Sequence, residues 1–285
     1  MARMTDLSVI TIVRNRPRHL ARLIEGLANS ATPPSELIVV DMSDEPVCLP
    51  RLAFPQYRLG LQKDHLALAA ARNAGAESAQ CSRLLFLDVD CIPRQNLITV
   101  MIEALIAQDG LMCPEVRYLG PESTHLHGDS ALEQASVTHP VRVFPNKGFR
   151  VEANAGLFWS LAFGIRRHTF EALGGFDEGY KGYGGEDTDF GFRAKEAGVP
   201  LIFLGGTGAF HQHHGVISPP LHHLHDIVRN ANRFFQRWGV WPMEGWLRQF
   251  QDLGVVAFDE QSLRVIRPPT PAEFEAARQP ASVYF

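Results

Sequence analysis

The chain has 285 residues, of which 45% are hydrophobic and 20% are charged, an ordinary balance for a soluble globular protein with room for one large domain. Its formal net charge of −4 gives no electrostatic reason for a nucleic-acid partner, and we expect none. The cysteines are scattered without a C-x-x-C pair, which argues against a disulfide framework and against a cysteine-based zinc site.

No stretch of the sequence predicts export or membrane insertion. Residues 1–6 lack the long apolar region and the small-residue cleavage site of a signal peptide. No run approaches the roughly 18 to 20 apolar residues of a spanning helix. We therefore expect a cytoplasmic protein that contacts, at most, the inner surface of the membrane.

The first predicted elements alternate between strand and helix. Ser8–Val13 is rich in β-branched residues and predicts a strand. Apolar residues at helical spacing follow Pro17, and a second strand, Glu36–Asp41, ends in a carboxylate. Residues 47–62 predict a loop with at most one short strand, and residues 65–76 predict a helix. This β-α-β rhythm predicts an α/β fold with a mostly parallel, twisted sheet flanked by helices in a single large domain.

An apolar run that ends in two carboxylates forms the centre of this predicted sheet. Arg83–Leu87 predicts a strand buried on both faces, and Asp88 and Asp90 follow it. Ligands of open α/β sheets collect at the carboxyl ends of the strands. One carboxylate there can bind a divalent cation while the other orients a ligand hydroxyl. The alternative is that both acids only cap the turn before the next predicted helix, 95–108.

The middle of the chain is the least regular part. Residues 117–154 show no clear pattern and predict either a lid or substrate loop, or a disordered stretch. A strand end and a short helix are predicted over 164–175, and a glycine-rich loop follows at 179–185.

Three acids, Glu186, Asp187 and Asp189, open the next predicted helix. Carboxylates in a first helical turn are favourable by roughly 0.3 to 1 kcal/mol each through the helix dipole, which is the purely structural explanation. Three acids behind a glycine-rich loop exceed what capping requires, so we expect a catalytic or binding role.

Histidines follow the next predicted strand, 201–204, after glycines that are interpreted as a turn. His211, His213 and His214 lie within four positions of one another, a pattern that favours a metal site over isolated core or surface histidines. Neutral imidazole suits Mn, Fe, Co and Zn better than Mg.

The last part of the chain predicts packing more than chemistry. His222 and His225 are expected on a solvated helix face. The aromatic residues around Trp241 are expected in the core, with a membrane-surface helix as the alternative. After Gly254 the tail has few apolar runs and is expected to wrap the surface.

Together these motifs resemble the GT-A glycosyltransferases, in particular family-2-like enzymes whose C-terminal half is similar to the galactosyltransferases. The first half of the resemblance rests on the strand 9–13 with R-N-R after it, on V-V-D-M-S-D at 39–44, on A-R-N-A-G at 71–75 and on F-L-D-V-D at 86–90. The second half rests on G-G-F-D at 174–177, on G-Y-G-G-E-D-T-D-F at 182–190 and on A-F-H at 209–211. Tyr183 and Thr188 depart from the family signature W-G-x-G-G-E-D-D-D, which leaves the donor sugar open.

The resemblance implies a nucleotide-sugar-binding half (1–115), an acceptor and catalytic half (116–254) and a tail (255–285). It implies that Asp41 and Arg72 contact the base and the ribose or phosphates of the donor.

The resemblance also implies a metal site. Asp88 would contact the ribose or the sugar, and Asp90 would bind a divalent cation, Mn²⁺ or Mg²⁺. His211 would be the partner ligand, with His213 or His214 as a further one.

The implied reaction is transfer with inversion from a nucleoside-diphosphate sugar, with a UDP-sugar as the first candidate, to a hydroxyl acceptor such as a glycan. Asp187 would be the general base, and Glu186 would bind the acceptor or donor sugar. Trp159 and Tyr183 would offer stacking faces to sugar rings.

Other functions share part of this pattern. A D-x-D phosphatase expects a threonine two positions after the second acid, where Ile92 stands. A nucleotidyltransferase gives no reason for the glycine-rich loop with its acids. A catalytically silent module that binds sugar nucleotides or glycans is the remaining alternative, and only turnover separates it from an enzyme.

Overall fold

The computed structural model describes residues 5–280 and 282–284. Residues 1–4, on which the prediction of a missing export signal partly rests, lie outside them, as do Ala281 and Phe285 of the predicted tail. The strands are β1 (Ser8–Val13), β2 (Glu36–Asp41), β3 (Gln56–Gly60), β4 (Arg83–Leu87), β5 (Cys91–Pro93), β6 (Leu111–Leu119), β7 (Ser136–Thr138), β8 (Gly148–Glu152), β9 (Ala162–Arg166), β10 (Leu201–His211), β11 (Val256–Phe258) and β12 (Leu263–Val265). The α-helices are α1 (Pro17–Ala28), α2 (Leu68–Ser78), α3 (Leu97–Ala107), α4 (Asp129–Gln134), α5 (Arg167–Ala172), α6 (Glu186–Glu196), α7 (Leu224–Trp238), α8 (Glu244–Asp252) and α9 (Pro271–Ala277).

The central sheet has the strand order β3-β2-β1-β4-β9-β6-β10-β5. Its first four strands are parallel, as predicted, and β6 is parallel to β10. β9 runs antiparallel to both of its neighbours, β4 and β6, so the whole sheet is mixed. The parallel rhythm breaks after β6 because no long helix follows it to carry the chain back across the sheet. One sheet therefore runs through both predicted halves of the chain.

Alternating side chains of the strands form a core on each face of the sheet. In β1, Val9 and Val13 pack in one cluster with α1 and α3, whereas Ile10 and Ile12 pack in the other with α2, α5 and α6. All six residues of β1 and of β2 are buried. Burial on both faces explains why these strands read as continuous apolar runs.

The predicted turn at the glycines 205–208 is wrong. β10 continues through them to His211, with a shift in its register against β6 between Leu204 and Gly208. Gly206 has φ +76, a conformation that glycine adopts without strain. The irregularity in β10 thus bends the strand without ending it, and His211 becomes a strand residue.

The stretch 117–154 is also more ordered than the sequence indicates. It contains the end of β6, then α4, β7 and β8. These elements are short, so none of them has room to display a helical or strand period.

The C-terminal part forms a third core cluster over α7. Leu224, Ile227 and Ala231 of α7 pack there with residues of α8, β11, β12 and α9. Trp241 stacks on Phe235 with ring centroids 4.0 Å apart, which confirms that the aromatic segment packs within the protein. No described helix is long and apolar enough to cross a bilayer.

The tail is an ordered layer, whereas the sequence predicted only a surface wrap. Its last helix, α9, begins with a capping box between Thr270 and Glu273. The end of α9 and the residues just after it hold the loop that follows the histidines. Ser218 N–H donates to the Ala277 carbonyl, and Gln279 N–H donates to the Val216 carbonyl, both at 2.9 Å.

Candidate functional site

Asp90 and two histidines meet at one edge of the sheet. Asp90 lies between β4 and β5, and the antiparallel pairing of β5 with β10 sets His211 opposite Cys91. The Gln212 N–H donates to the Asp90 carbonyl at 2.7 Å and fixes the two segments together. Asp90 Oδ1 lies 3.5 Å from His211 Nε2, and Asp90 Oδ2 lies 3.6 Å from His214 Nε2.

The donor atoms of Asp90, His211 and His214 could hold a metal ion, because they all lie within 4.8 Å of one another. Asp90 Oδ1 is buried and has no hydrogen-bond partner among the residues that the structure describes, an arrangement that normally costs free energy unless a ligand completes it. Burial, followed by the charge of Arg16, lowers the pKa of His214 to about 4, so its imidazole is neutral and able to coordinate at pH 7. One carboxylate and two imidazoles fit Mn²⁺ and similar ions.

The structure distinguishes among the predicted histidines. His211 and His214 belong to the group around Asp90, whereas the group found within residues 5–280 and 282–284 does not include His213. The sequence alone left His213 and His214 as equal alternatives.

Two residues near this cluster were not singled out from the sequence. Arg16 Nη1 donates to Asp90 Oδ2 at 2.6 Å, and the His19 ring lies 6.4 Å from the His214 ring. Burial alone would raise the pKa of Asp90, but His211 and Arg16 outweigh it, so the carboxylate stays ionised. Both residues follow β1, whose carboxyl end lies beside that of β4 in the parallel sheet. Because ligands collect at the carboxyl ends of neighbouring strands, this position could have indicated both residues from the sequence.

Arg72 joins the two acidic motifs of the chain. Its guanidinium donates from Nη2 to Asp88 Oδ1 and from Nη1 to Glu186 Oε1, each at 3.1 Å. Arg72 is only 4% exposed and lies over the Phe176 ring. Burial raises the pKa of Asp88. The positive charge of Arg72 lowers this pKa in part, and the negative charge of Asp90 raises it further. Arg72 thus holds Asp88 and Glu186 in place, and its direct contact with a nucleotide stays a prediction.

Asp41 ends β2 and organises the loop after it. Its Oδ1 accepts the Ser43 N–H at 3.0 Å, and its Oδ2 accepts the Val47 N–H at 2.8 Å and Arg58 Nη1 at 3.2 Å. Burial alone would raise the pKa of Asp41, but the hydrogen bonds from Val47 and Ser43 lower it. Its contact with a base or ribose stays a prediction.

The glycine-rich loop delivers three acids to the start of α6. Gly184 and Gly185 both have φ +90, so the loop turns sharply into the helix without a side chain to strain it. Glu186 turns inward to Arg72, as described. Asp187 is half-buried, and its Oδ1 accepts the Thr188 N–H at 2.7 Å.

Asp189 has a structural role. It is fully buried, and it accepts Arg193 Nε at 2.8 Å and the Trp238 indole N–H at 2.9 Å. The bond from Trp238 ties α6 to α7. The expectation of a catalytic or binding role for all three acids therefore does not extend to Asp189.

Replacing Asp189 by asparagine is expected to lower the free energy of unfolding by about 3 kcal/mol, because Arg193 would be left with an uncompensated buried charge. Urea unfolding of the purified variant measures this. Glu196→Gln, at an exposed position of the same helix, is the matched control and should stay within about 0.5 kcal/mol of the unmodified protein. Equal stabilities of the two variants would contradict the structural role.

Glu186 is expected to make stability fall with rising pH. Burial, followed by the charge of Asp187, raises its pKa from 4.5 to about 7. Between these values the folded protein keeps a proton that the unfolded chain has lost, so the free energy of unfolding declines as pH rises through this window. Urea unfolding at several pH values should show a flatter profile for Glu186→Gln, while Glu196→Gln should retain the decline; identical profiles for both variants would argue against a raised pKa.

The two predicted stacking residues are partly covered by protein groups. The Tyr183 ring stacks on His223 with centroids 4.4 Å apart. The Trp159 ring has the Arg142 guanidinium 5.0 Å from its centroid and the edge of His139 at 4.8 Å. At most one face of Tyr183 is open to a sugar, and sugar contact by either residue stays a prediction.

Known proteins similar to this chain are named as glycosyltransferases and glycan synthases. Validoxylamine A glucosyltransferase of Streptomyces hygroscopicus subsp. limoneus is 26% identical over 68% of this chain and 49% of its own length. Hyaluronan synthase of Pasteurella multocida is 25% identical over 72% of this chain and 24% of its own length. The chain thus spans about half or less of the length of these relatives.

Solved structures agree with the fold. A crystal structure of S. aureus TarS 1-349 has a TM-score of 0.53 at 15% identity and covers 80% of this chain and 65% of its own. GalNAc-T7, solved with UDP, GalNAc and Mn²⁺, has a TM-score of 0.54 at 16% identity and covers 73% of this chain and 43% of its own. The chain therefore has the GT-A fold of these glycosyltransferases.

Two family models match the chain in overlapping segments. One, described as the N-terminal domain of galactosyltransferase, matches residues 138–214 and takes in the glycine-rich loop and the histidines of the candidate metal cluster. The other matches residues 8–174, which include Arg72, Asp88 and Asp90. Because this second match covers more than half of the sequence and carries the acidic edge of the sheet, the chain belongs to glycosyl transferase family 2.

Proposed function

We propose that this chain transfers a sugar from a nucleoside-diphosphate sugar, with a UDP-sugar as the first candidate, to a hydroxyl group of a glycan or another acceptor, with inversion. The observation that carries the proposal is the cluster of Asp90, His211 and His214, in which the buried Asp90 Oδ1 lacks a hydrogen-bond donor. The family membership supports it, as do similar folds that were solved with UDP and Mn²⁺ and with UDP.

In this proposal Asp90, His211 and His214 hold the divalent cation. Their nitrogen donors favour Mn²⁺ over Mg²⁺, which prefers oxygen ligands. When bound, such a cation supplies positive charge that stabilises a departing diphosphate.

Asp187 is the proposed general base. Its Oδ1 is engaged by the Thr188 N–H at 2.7 Å, so Oδ2 is the atom that takes the proton of the acceptor hydroxyl. The acceptor oxygen forms its bond to the anomeric carbon while the bond from that carbon to the diphosphate oxygen breaks. Attack from the face opposite the leaving group inverts the anomeric centre, and a positioned base contributes about 10²- to 10⁴-fold to such a step.

The remaining predicted residues position the substrates in this scheme. Glu186, held by Arg72, binds a sugar hydroxyl, and Asp88 binds the ribose or the sugar. Trp159 and Tyr183 line the sugar site. A location at the inner membrane surface stays a prediction. The aromatic segment, for which a membrane-surface helix was the alternative, packs within the protein and does not support that location.

Calorimetry and thermal unfolding with UDP, GDP, CMP and dTDP compounds, including their common sugars, test the proposal. We expect UDP and its sugars to bind and to stabilise the protein only when Mn²⁺ is present. The best-bound sugar is then tested in a transfer assay. A folded protein that binds none of these nucleotides with metal supplied would refute the proposal, whereas binding without turnover would favour the silent module.

A further inference from the structure

Arg142 is a buried charge that the proposed reaction does not use. Its neighbours Val141 and Val143 are 57% and 66% exposed, whereas Arg142 is only 4% exposed. The side chain of Arg142 is therefore turned inward between two exposed valines. Its guanidinium lies against three aromatic rings, at 5.0 Å from the Trp159 centroid and at 5.2 Å from those of Phe144 and Phe203.

No carboxylate within the described part of the chain pairs with Arg142. Its Nε and Nη2 are buried and have no hydrogen-bond partner among the described residues. The Cys113 thiol lies beside the guanidinium, and the Tyr118 side chain is also near it. By contrast, among the described residues the buried Arg72 and the largely buried Arg193 each have carboxylate partners. A buried unpaired guanidinium costs the folded protein several kcal/mol, so its presence requires an explanation beyond stability.

Arg142 is connected to the candidate site through packed aromatic rings. A row of ring contacts leads from it to the metal cluster: Trp159 to His139 at 4.8 Å, His139 to Tyr118 at 5.8 Å, and Tyr118 to His211 at 5.1 Å. The carboxylate of Asp187 is also near enough for its charge to act on Arg142.

The two unpartnered nitrogens form one edge of the guanidinium. Nε–H and Nη2–H point in the same direction, and this fork matches two oxygens of a carboxylate or phosphate. The aromatic surroundings exclude water and strengthen such a pair.

We propose that Arg142 binds an anionic oxygen group of the substrate, a carboxylate or a phosphate, through Nε and Nη2. The inference rests on the proposed function and extends it, because it requires an anion at the guanidinium of Arg142. The group is either the diphosphate of the donor or a carboxylate on a uronic acid sugar.

Binding measurements on Arg142→Met separate these sources. Arg150→Met is the matched control, because Arg150 lies over the same Phe203 ring at 5.2 Å but is paired with Glu152 and outside the proposed site. Calorimetry with Mn²⁺ compares UDP, UDP-glucose and UDP-glucuronate, and a second series compares oligosaccharides ending in glucuronate or in glucose.

At least tenfold weaker binding of all three nucleotides by Arg142→Met would assign the diphosphate. A loss confined to UDP-glucuronate, or to the glucuronate-ended oligosaccharide, would assign the sugar carboxylate. Arg142→Lys, which keeps the charge without the fork, should lose the same ligand to a smaller extent. Binding of every ligand within twofold of the unmodified protein would overturn the inference while leaving the proposed function standing.

Unfolding without ligand gives a second readout. Arg142→Met should unfold at the same temperature as the unmodified protein or above it, since an unpaired buried charge is removed. A lower midpoint together with unchanged binding would show that Arg142 only supports the fold.

If the unmodified protein binds none of the nucleotides, the proposed function fails, and thermal shifts with pyrophosphate and with free glucuronate test Arg142 alone. Stabilisation by either anion that Arg142→Met lacks would still support an anion site. Equal responses of the two proteins would overturn it.

Discussion

Replacing Asp90 by asparagine is expected to weaken Mn²⁺-dependent UDP binding at least about a hundredfold and to reduce transfer by a similar factor. Groups that hydrogen-bond to metal ligands already contribute about 10- to 100-fold to metal affinity, and Asp90 is the carboxylate of the cluster found among the described residues. Calorimetric titration of UDP in the presence and absence of Mn²⁺ measures the effect. Unchanged metal-dependent affinity would remove Asp90 from the metal site.

The neighbouring histidines provide the control for this result. His214→Gln should weaken Mn²⁺-dependent binding at least about tenfold, because it removes a neutral imidazole of the cluster. His213→Gln makes the same replacement in the same loop, but at a position outside the cluster. Its Mn²⁺-dependent affinity for UDP should stay within about threefold of that of the unmodified protein. Equal losses in both variants would indicate a disturbed loop instead of a lost ligand.

Replacing Asp187 by asparagine is expected to lower the rate of transfer at least about a hundredfold while UDP affinity stays within about threefold. Asparagine keeps the size of the side chain and can still accept the Thr188 N–H, but it cannot take a proton from the acceptor. Transfer kinetics at saturating donor, together with calorimetry of UDP and Mn²⁺, separate the two effects. A turnover close to that of the unmodified protein would exclude Asp187 as the base.

Asp189→Asn supplies the comparison on the same helix. It should lower stability, as argued above from its bonds to Arg193 and Trp238, whereas Asp187→Asn should leave the unfolding midpoint nearly unchanged. If Asp187→Asn also destabilised the protein, the loss of activity would have to be assigned to folding.

The acidic edge of the sheet could be predicted from the sequence because it depends on local signals. Asp88 and Asp90 directly follow a buried strand, and glycines with acids behind them mark the start of α6. The approach of Asp90 and His211 across more than a hundred residues could be expected only from the resemblance to a family, since strand order is a long-range property.

Other features depend on tertiary contacts that produce no periodic pattern of residues in the sequence. The antiparallel β9 and the continuous β10 both follow from pairing between distant strands. The inward turn of Arg142 depends on rings contributed by Trp159 and Phe203, which lie far along the chain. The geometry of the loop decides that His214, and not His213, lies within the cluster around Asp90. The spacing of histidines in the sequence cannot show this.

The hydrogen bonds between the end of α9 and the loop after the histidines connect the last part of the chain to the candidate site. Ser218 and Val216 are held by Ala277 and Gln279, and the same loop carries His214 a few residues earlier. The pose of His214, one of the proposed metal ligands, therefore depends on residues more than sixty positions later, beyond the last sheet strand. A deletion beginning at Ala277 would act as a remote mutation of the proposed cation site: it would leave every proposed ligand in the sequence and still change the position of one of them.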